Sequence, residues 1–357
     1  MKKPKLIYIL PRYDTATGTH LFYLYSFIQR LSVTYDLWLV VLAGDDPRGE
    51  IPGLFRTSYI GGMPRVVQVV LLKLALLRAR LLGFKNVYVH YSYWAALLAS
   101  FVMRPLGGRV RYWNCGMPWL FGSQYPLRIT LFFVSTLVTG TPAMKEMYSK
   151  QYGVPRSKIS VMPNWIEPDR FLHLPSRDEA RATLGFDRDA PTVLYVHTLS
   201  PRKGADRLPA ILRDLPENVR MVIVGGGELK EELINTMREY DDRVHFTGWV
   251  PARDIPLYMR AADVYVMPSR EEGFPHTILE SMAAGTPFVA TNVGGMQDIV
   301  PAEYVETLLV TSVFDMAKKI SVLLNDSSIY SKTSSALGEH VLRYSIDRVV
   351  SDFTKMI

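Results

Sequence analysis

The stretch "VYVMPSREEGFPHTILESMAAGTPFVAT", residues 264–291, decides the fold. It opens on a short apolar run, "VYVMP", and passes through a polar loop, "SREEGFP". It then continues into "HTILESMAA", closed by Gly285 with Pro287 just beyond. Those two residues are helix stop signals, because glycine accepts a left-handed backbone and proline cannot extend the helix. "PFVAT" begins the next apolar run. Strand, loop, helix and strand in this order predict a βα unit and a parallel sheet.

The same alternation runs the length of the chain. In the first half the expected strands are 5–10, 36–43, 86–91, 109–114 and 135–140. In the second half they are 192–198, 220–226, 244–248, 264–268 and 287–291. A polar, Pro-containing stretch, 165–190, separates the two sets, and within it Ser176 and Glu179 have the spacing of a helix capping box. The expected fold class is α/β, with two doubly wound Rossmann-like domains. Their expected limits are 1–168 and 169–340, with a tail, 341–357, forming a helix that packs back on the first domain. At 357 residues, two cores are the better prior.

Composition narrows the setting. The single cysteine, Cys115, excludes an internal disulfide and any multi-cysteine zinc site, and fits a reducing, cytoplasmic location. The opening "MKKPKLIYIL" reads as a first strand, since it meets "PRYDTATG" before reaching signal-peptide length. No run approaches the roughly 18 apolar residues of a membrane span.

The net charge of +7 hides an asymmetry. Residues 1–170 hold 21 basic and 8 acidic side chains, the remainder 20 and 26, and between 51 and 150 Glu146 is the one acid against 12 bases. A field of that sign draws anionic partners: lipid surfaces, phosphorylated substrates or nucleic acid. The segment 63–84, "MPRVVQVVLLKLALLRARLLGF", reads as one helix. Helical spacing puts Arg65, Gln68, Lys73 and Arg80 on a narrow polar face, with Arg78 opposite. Such a helix either lies in a membrane interface or packs on the sheet with a thin solvated edge.

Within the opening stretch, Glu280 falls about one turn inside the expected helix and leans back toward the loop that carries Glu272. The free amides and positive dipole of the helix start face the same place, which suits a phosphate. A carboxylate's two oxygens can accept both hydroxyls of a ribose diol. The alternative is a helix capped by Glu272 with Glu280 in solvent.

The segment from Glu272-Gly273-Phe274-Pro275 through Glu280 to Pro287 resembles the signature of the family-four retaining glycosyltransferases, of GT-B architecture. Further blocks resemble the family in the same order: 137–171 with Asn164, 194–212, 222–233, 244–250 and 290–300. The resemblance implies two facing Rossmann-like domains with a cleft between them. It also implies a nucleotide-sugar donor, expected as a UDP-sugar, on the second domain and an acceptor on the first.

Glu280 would hold the donor ribose and Glu272 the transferred sugar. Backbone amides around Gly273, Phe274, His276 and Thr277 would face the diphosphate. Pro275 stands where many members have glycine, and it has no N–H to donate. Lys203 matches the family's diphosphate lysine; the arginine usually four to five residues earlier is replaced by Thr198, and Arg202 is a candidate substitute. Charge developing on a departing diphosphate is what such cations stabilise.

The first domain departs more. Its glycine loop keeps Gly18 where the family often has two glycines, and the place of a family histidine is held by Cys115, with Asn114 before it. His90 and His20 are alternative polar groups there. No metal is expected, and the triplet Asp187-Arg188-Asp189 lacks the preceding strand of a metal-binding motif.

The function implied is transfer of a sugar to a lipid-linked or surface-glycan acceptor, peripheral to the inner face of a membrane, with an anionic membrane surface as a candidate partner. A soluble acceptor, a nucleotide-sugar epimerase and a non-catalytic glycosyltransferase-like partner are the alternatives. Nucleic acid is not expected, since the aromatic residues form no recognisable binding motif.

Overall fold

A computed structural model describes residues 3–14, 22–116 and 124–357. The chain divides into two compact units, Met1–Pro163 with Val349–Ile357, and Asn164–Arg348. Gly18 and His20 lie outside the described residues.

The first unit is built on a seven-stranded parallel sheet. Its strands are β1 (Lys5–Leu10), β2 (Asp36–Val41), β3 (Arg56–Tyr59), β4 (Asn86–His90), β5 (Arg109–Trp113), β6 (Thr136–Thr139) and β7 (Ile159–Val161). The central runs are buried along almost their whole length, as parallel strands covered on both faces must be. The spatial order is β3-β2-β1-β4-β5-β6-β7, so the winding reverses between β1 and β4. Five of these strands follow the sequence pattern. The edge strand β3, "RTSY", is half-exposed throughout, and β7 has three residues; neither carries an apolar run.

Helices α1 (Tyr23–Thr34), α2 (Arg65–Leu81), α3 (Tyr93–Met103), α4 (Tyr125–Phe133) and α5 (Pro142–Tyr152) complete this unit with the end of the helix Ile346–Met356. Phe353 from that last helix is fully buried. It packs edge-on to Phe27 and Tyr88, with ring centroids at 5.4 and 4.9 Å. Arg111 donates to the carbonyls of Met356 and Ile357 at 2.8 and 2.7 Å.

Helix α2 departs from the expected polar stripe. Gln68 is buried and donates to the carbonyls of Met63 and Leu42, while Arg80 donates to Leu106 O. The outward face carries Val66, Val70, Leu74, Leu77 and Leu81 beside Lys73 and Arg78. Buried carbonyls need donors, so the polar residue turns inward and the aliphatic ones are left outside. No helix among the described residues is long and apolar enough to cross a membrane.

The second unit carries a six-stranded parallel sheet: β8 (Thr192–Val196), β9 (Arg220–Val224), β10 (Val244–Gly248), β11 (Val264–Met267), β12 (Phe288–Thr291) and β13 (Leu309–Val310). The order β10-β9-β8-β11-β12-β13 reverses between β8 and β11. Ser176 and Glu179 form the reciprocal capping box that their spacing predicts, opening the helix Arg177–Leu184. Asp187 closes a turn by accepting from the amides of Asp189 and Ala190, and the fully buried Arg181 donates to the carbonyls of Asp187, Arg188 and Ala190 and to Asp263. That triplet therefore has a structural occupation.

Candidate functional site

In doubly wound sheets, ligands settle where the strand order reverses, outside the carboxyl ends of the strands. In the second unit that place lies beyond β8 and β11. The loop after β8 tightens into a short turn, Pro201–Lys203, closed by Gly204 at φ +69°. A Cβ on Gly204 would stand 1.9 Å from Pro268 O, so only glycine lets the loop press against the strand end. Arg207 donates to Pro268 O at 2.8 Å, and Arg270 grips Asp206 through two bonds of 2.6 and 2.7 Å. The two loops are thus fastened together by backbone fit and charge.

What this fastening positions is a compact ionic cluster. Lys203 Nζ donates to Glu272 Oε1 at 2.8 Å, and Ser269 Oγ donates to the same oxygen at 2.7 Å. His197 Nε2 lies 3.9 Å from it. Lys203 and Glu272 are 6% and 5% exposed, so both charges are largely out of water and depend on one another. Burial lowers the Lys203 pKa, and the Glu272 carboxylate opposes that shift. Both internal donors converge on Oε1, which leaves Oε2 for a hydroxyl from outside. Lys203 likewise retains donor capacity toward an anion, since an ammonium carries three N–H groups.

The helix His276–Ala284 starts two residues after Phe274, whose carbonyl accepts from Asn164 Nδ2 at 2.7 Å. No side chain caps its start, because Pro275 occupies the cap position. Tyr265 OH donates to Thr277 Oγ1 at 2.8 Å and ties the first turn to β11. Glu280, the fifth residue of the helix, is 9% exposed. Burial pushes its carboxyl up to about 7, against the pull of Arg170, whose Nη1 is 3.8 Å away. The loop thus offers uncapped amides, an ammonium and two carboxyls held on neighbouring elements. That set can bind an anion and accept from hydroxyls.

Residues 176–340, which contain this whole arrangement except Asn164 and Arg170, match the family model of the glycosyl transferases group 1. The match falls within the second unit and takes in most of it. The same region is similar to the D-inositol 3-phosphate glycosyltransferase of Xylanimonas cellulosilytica, 33% identical over 175 residues, 46% of this chain and 42% of the relative. It is also similar to the UDP-Gal:alpha-D-GlcNAc-diphosphoundecaprenol alpha-1,3-galactosyltransferase of Escherichia coli, 32% identical over 170 residues, 45% of this chain and 43% of the relative. The chain spans less than half the length of these curated relatives. Among solved structures, Anabaena HepE in complex with UDP and glucose covers 99% of each chain at TM-score 0.82 and 19% identity. That likeness is one of fold, and the fold is GT-B.

Within the matched region, Glu272, Gly273, Phe274, Pro275, His276, Thr277 and Glu280 share one loop and helix start, and Lys203 joins them through Glu272. Thr198 is exposed, and its amide donates to His197 Nδ1. Arg202 is exposed and makes no side-chain bond among the described residues; its carbonyl accepts from Arg270 N. Four residues of the arrangement escape sequence reasoning: His197, Ser269, Arg170 and Tyr265. His197 and Ser269 each follow a buried strand closely, and a polar residue at a strand's carboxyl end was the available signal.

Asn114 and Cys115 belong to the first unit, just beyond β5. Asn114 is fully buried and accepts from Gly116 N, and Cys115 Sγ lies 3.1 Å from Tyr91 OH. His90 is buried as well, paired with Tyr8 OH at 2.9 Å. All three side chains are already engaged inside the first unit.

Proposed function

We propose that the protein is a retaining glycosyltransferase that moves a sugar from a nucleotide-diphosphate donor, a UDP-sugar, to a lipid-linked or glycan acceptor. The observation that carries this reading is the buried Lys203–Glu272–Ser269 cluster beside an uncapped helix start. In the transfer, the bond from the sugar carbon to the diphosphate oxygen breaks and its electron pair leaves with the diphosphate. A new bond forms from that carbon to the acceptor oxygen, and the acceptor hydroxyl releases one proton.

Negative charge grows on the departing diphosphate. Lys203 and the amides at the start of the helix His276–Ala284 are placed to stabilise it without a metal ion. Glu272 keeps Lys203 charged and offers Oε2 to a sugar hydroxyl, and Glu280 accepts from the ribose diol. The two curated relatives act, by their names, on a phosphorylated inositol and on a diphosphoundecaprenol-linked sugar, and HepE was crystallised with UDP and glucose. They support the choice of donor and acceptor class.

A thermal-shift screen against UDP, GDP and ADP sugars tests the donor, since a ligand that binds only the folded state raises its stability. The UDP-sugar should give the largest shift, and Glu280→Ala should abolish it. An unchanged shift in that variant would refute the ribose assignment.

The outward aliphatic face of α2, flanked by Lys73 and Arg78 in a region with 12 bases to one acid, supports a peripheral seat on an anionic bilayer. Vesicles containing phosphatidylglycerol should co-sediment the protein at low salt, and Val70→Glu with Leu74→Glu should release it. Equal sedimentation of that variant removes the membrane reading.

A further inference from the structure

The first sheet has its own reversal, between β1 and β4, and a cavity of about 470 Å³ opens there. Leu42, Met63 and Trp94 give it apolar and aromatic wall. Arg65 supplies a cation: its guanidinium lies over the Trp94 ring at 4.4 Å and gives one N–H to Gln68 Oε1 at 3.3 Å. Its other donors are uncommitted among the described residues. No carboxylate lines the cavity among those residues.

Ser92 also lines this cavity and stands at the cap position of α3. A serine there ordinarily accepts from an amide of the first turn. Here it does not: Ser92 is 8% exposed and its Oγ has no hydrogen-bond partner among the described residues. The first bond of α3 is Ala96 N to Ser92 O at 3.0 Å, and among the described residues no side chain caps the amides ahead of Ala96. A buried hydroxyl left open beside uncapped amides costs stability unless a ligand completes it. The group that satisfies a hydroxyl, helix amides and a guanidinium together is an anion with several acceptor oxygens.

We infer that this cavity binds a phosphate or diphosphate group carried by the acceptor, with the attached ring or chain against Trp94, Met63 and Leu42. The inference rests on the reading that the protein glycosylates an acceptor, and it assigns that acceptor a phosphate. The phosphate can belong to a soluble phosphorylated molecule or to a lipid headgroup, and the two arms of the test separate these sources.

One arm titrates inorganic phosphate and pyrophosphate into the full chain by calorimetry. The other measures co-sedimentation with phosphatidylcholine vesicles containing phosphatidic acid. Both use the natural sequence, Arg65→Gln, Ser92→Ala and, as a charge control, Arg109→Gln, exposed at the amino end of β5 and outside the cavity. Arg65→Gln should weaken binding on the order of tenfold and Ser92→Ala several-fold, with Arg109→Gln closer to the natural sequence than either.

That ranking with soluble phosphate assigns a soluble acceptor; the ranking with vesicles alone assigns a headgroup, and either supports the site. No binding in both arms, or equal weakening by Arg65→Gln and Arg109→Gln, overturns it. Arg65 is exposed and Ser92 Oγ unbonded, so both variants should fold, which circular-dichroism melts will check. A parallel UDP-sugar titration keeps the two readings apart. Donor binding without phosphate binding fails this inference alone, whereas phosphate binding without donor binding fails the transferase reading and leaves a phosphate site with no acceptor role.

Discussion

The two sheets reverse their winding in the same manner, yet the places they create are finished differently. Beyond β8 and β11 the charges answer one another inside the protein: Lys203 with Glu272, Ser269 with Glu272, Arg270 with Asp206. Beyond β1 and β4 the groups are left open: an uncapped helix, an unbonded Ser92 hydroxyl and a guanidinium over Trp94. The first arrangement is preorganised and carries its own counter-charge. The second depends on something arriving. One architecture therefore hosts a site that is wired in advance and one completed by its ligand.

The sharpest way to break this contrast is Glu272→Gln. The shape is kept but Lys203 loses its counter-charge while buried, and removing one partner of such a pair costs about 3–5 kcal/mol. Urea unfolding should register that loss, and turnover with a UDP-sugar should fall by roughly 100- to 1,000-fold. A variant with ordinary stability and full turnover would show that the wiring is incidental.

Next in size is the backbone fit beneath Lys203. Gly204→Ala meets both a left-handed φ of +69° and a carbonyl 1.9 Å from the new Cβ. A cost of roughly 3–4 kcal/mol is expected, with donor affinity lost as the loop lifts. Gly107, in the first unit, has φ +75° and nothing within 4 Å of such a Cβ. Gly107→Ala should cost about 1 kcal/mol. Equal losses from the two would mean that the β8 loop is not held by its contact with Pro268.

Glu280 gives the pH signature of the second unit. Its folded value of about 7 lies above the ordinary 4.5, so the native state keeps a proton that the unfolded chain releases. Stability is then fullest below about pH 4.5, falls as the pH rises, and is lost by about pH 7, a decline on the order of 3 kcal/mol. Glu280→Gln should flatten that slope in chemical-denaturation series at several pH values. A slope that survives the substitution belongs to another group. Saturating UDP-sugar should also flatten it, because a diol donating to the carboxylate favours the charged form.

The second site was more legible in the sequence than the first, and the reason is physical. Lys203, Glu272 and Glu280 are charged residues in loops or helix starts next to fully apolar strands, so their pattern stands out. The strands themselves were legible where both faces are buried, as in β1, β4 and β8. Edge strands β3 and β13 were not, since "RTSY" and "LV" carry no run long enough to read. Helix α2 misled because a helical wheel sorts residues by polarity alone. Gln68 faces inward to serve two carbonyls, and no periodicity encodes where a bare carbonyl will be. Ser92 was silent for a similar reason: a cap serine looks the same in sequence whether or not its hydroxyl finds an amide.

That last difference supplies the smallest effect and the finest test. Among the described residues, two helices of the first unit begin with a hydroxyl residue. The Thr141 hydroxyl accepts from Met144 N at 3.1 Å, and the Ser92 hydroxyl accepts from nothing among the described residues. Replacing a working cap by alanine costs about 1 kcal/mol, so Thr141→Ala should lower the midpoint of thermal unfolding by a few degrees. Ser92→Ala removes no bond and relieves a buried hydroxyl left unpaired, so the ligand-free midpoint should hold or rise by about a degree or two. Added phosphate should then raise the midpoint of the natural sequence and of Thr141→Ala, and raise that of Ser92→Ala less. If Ser92→Ala alone costs as much as Thr141→Ala, the serine is an ordinary cap and the open hydroxyl has no ligand to wait for.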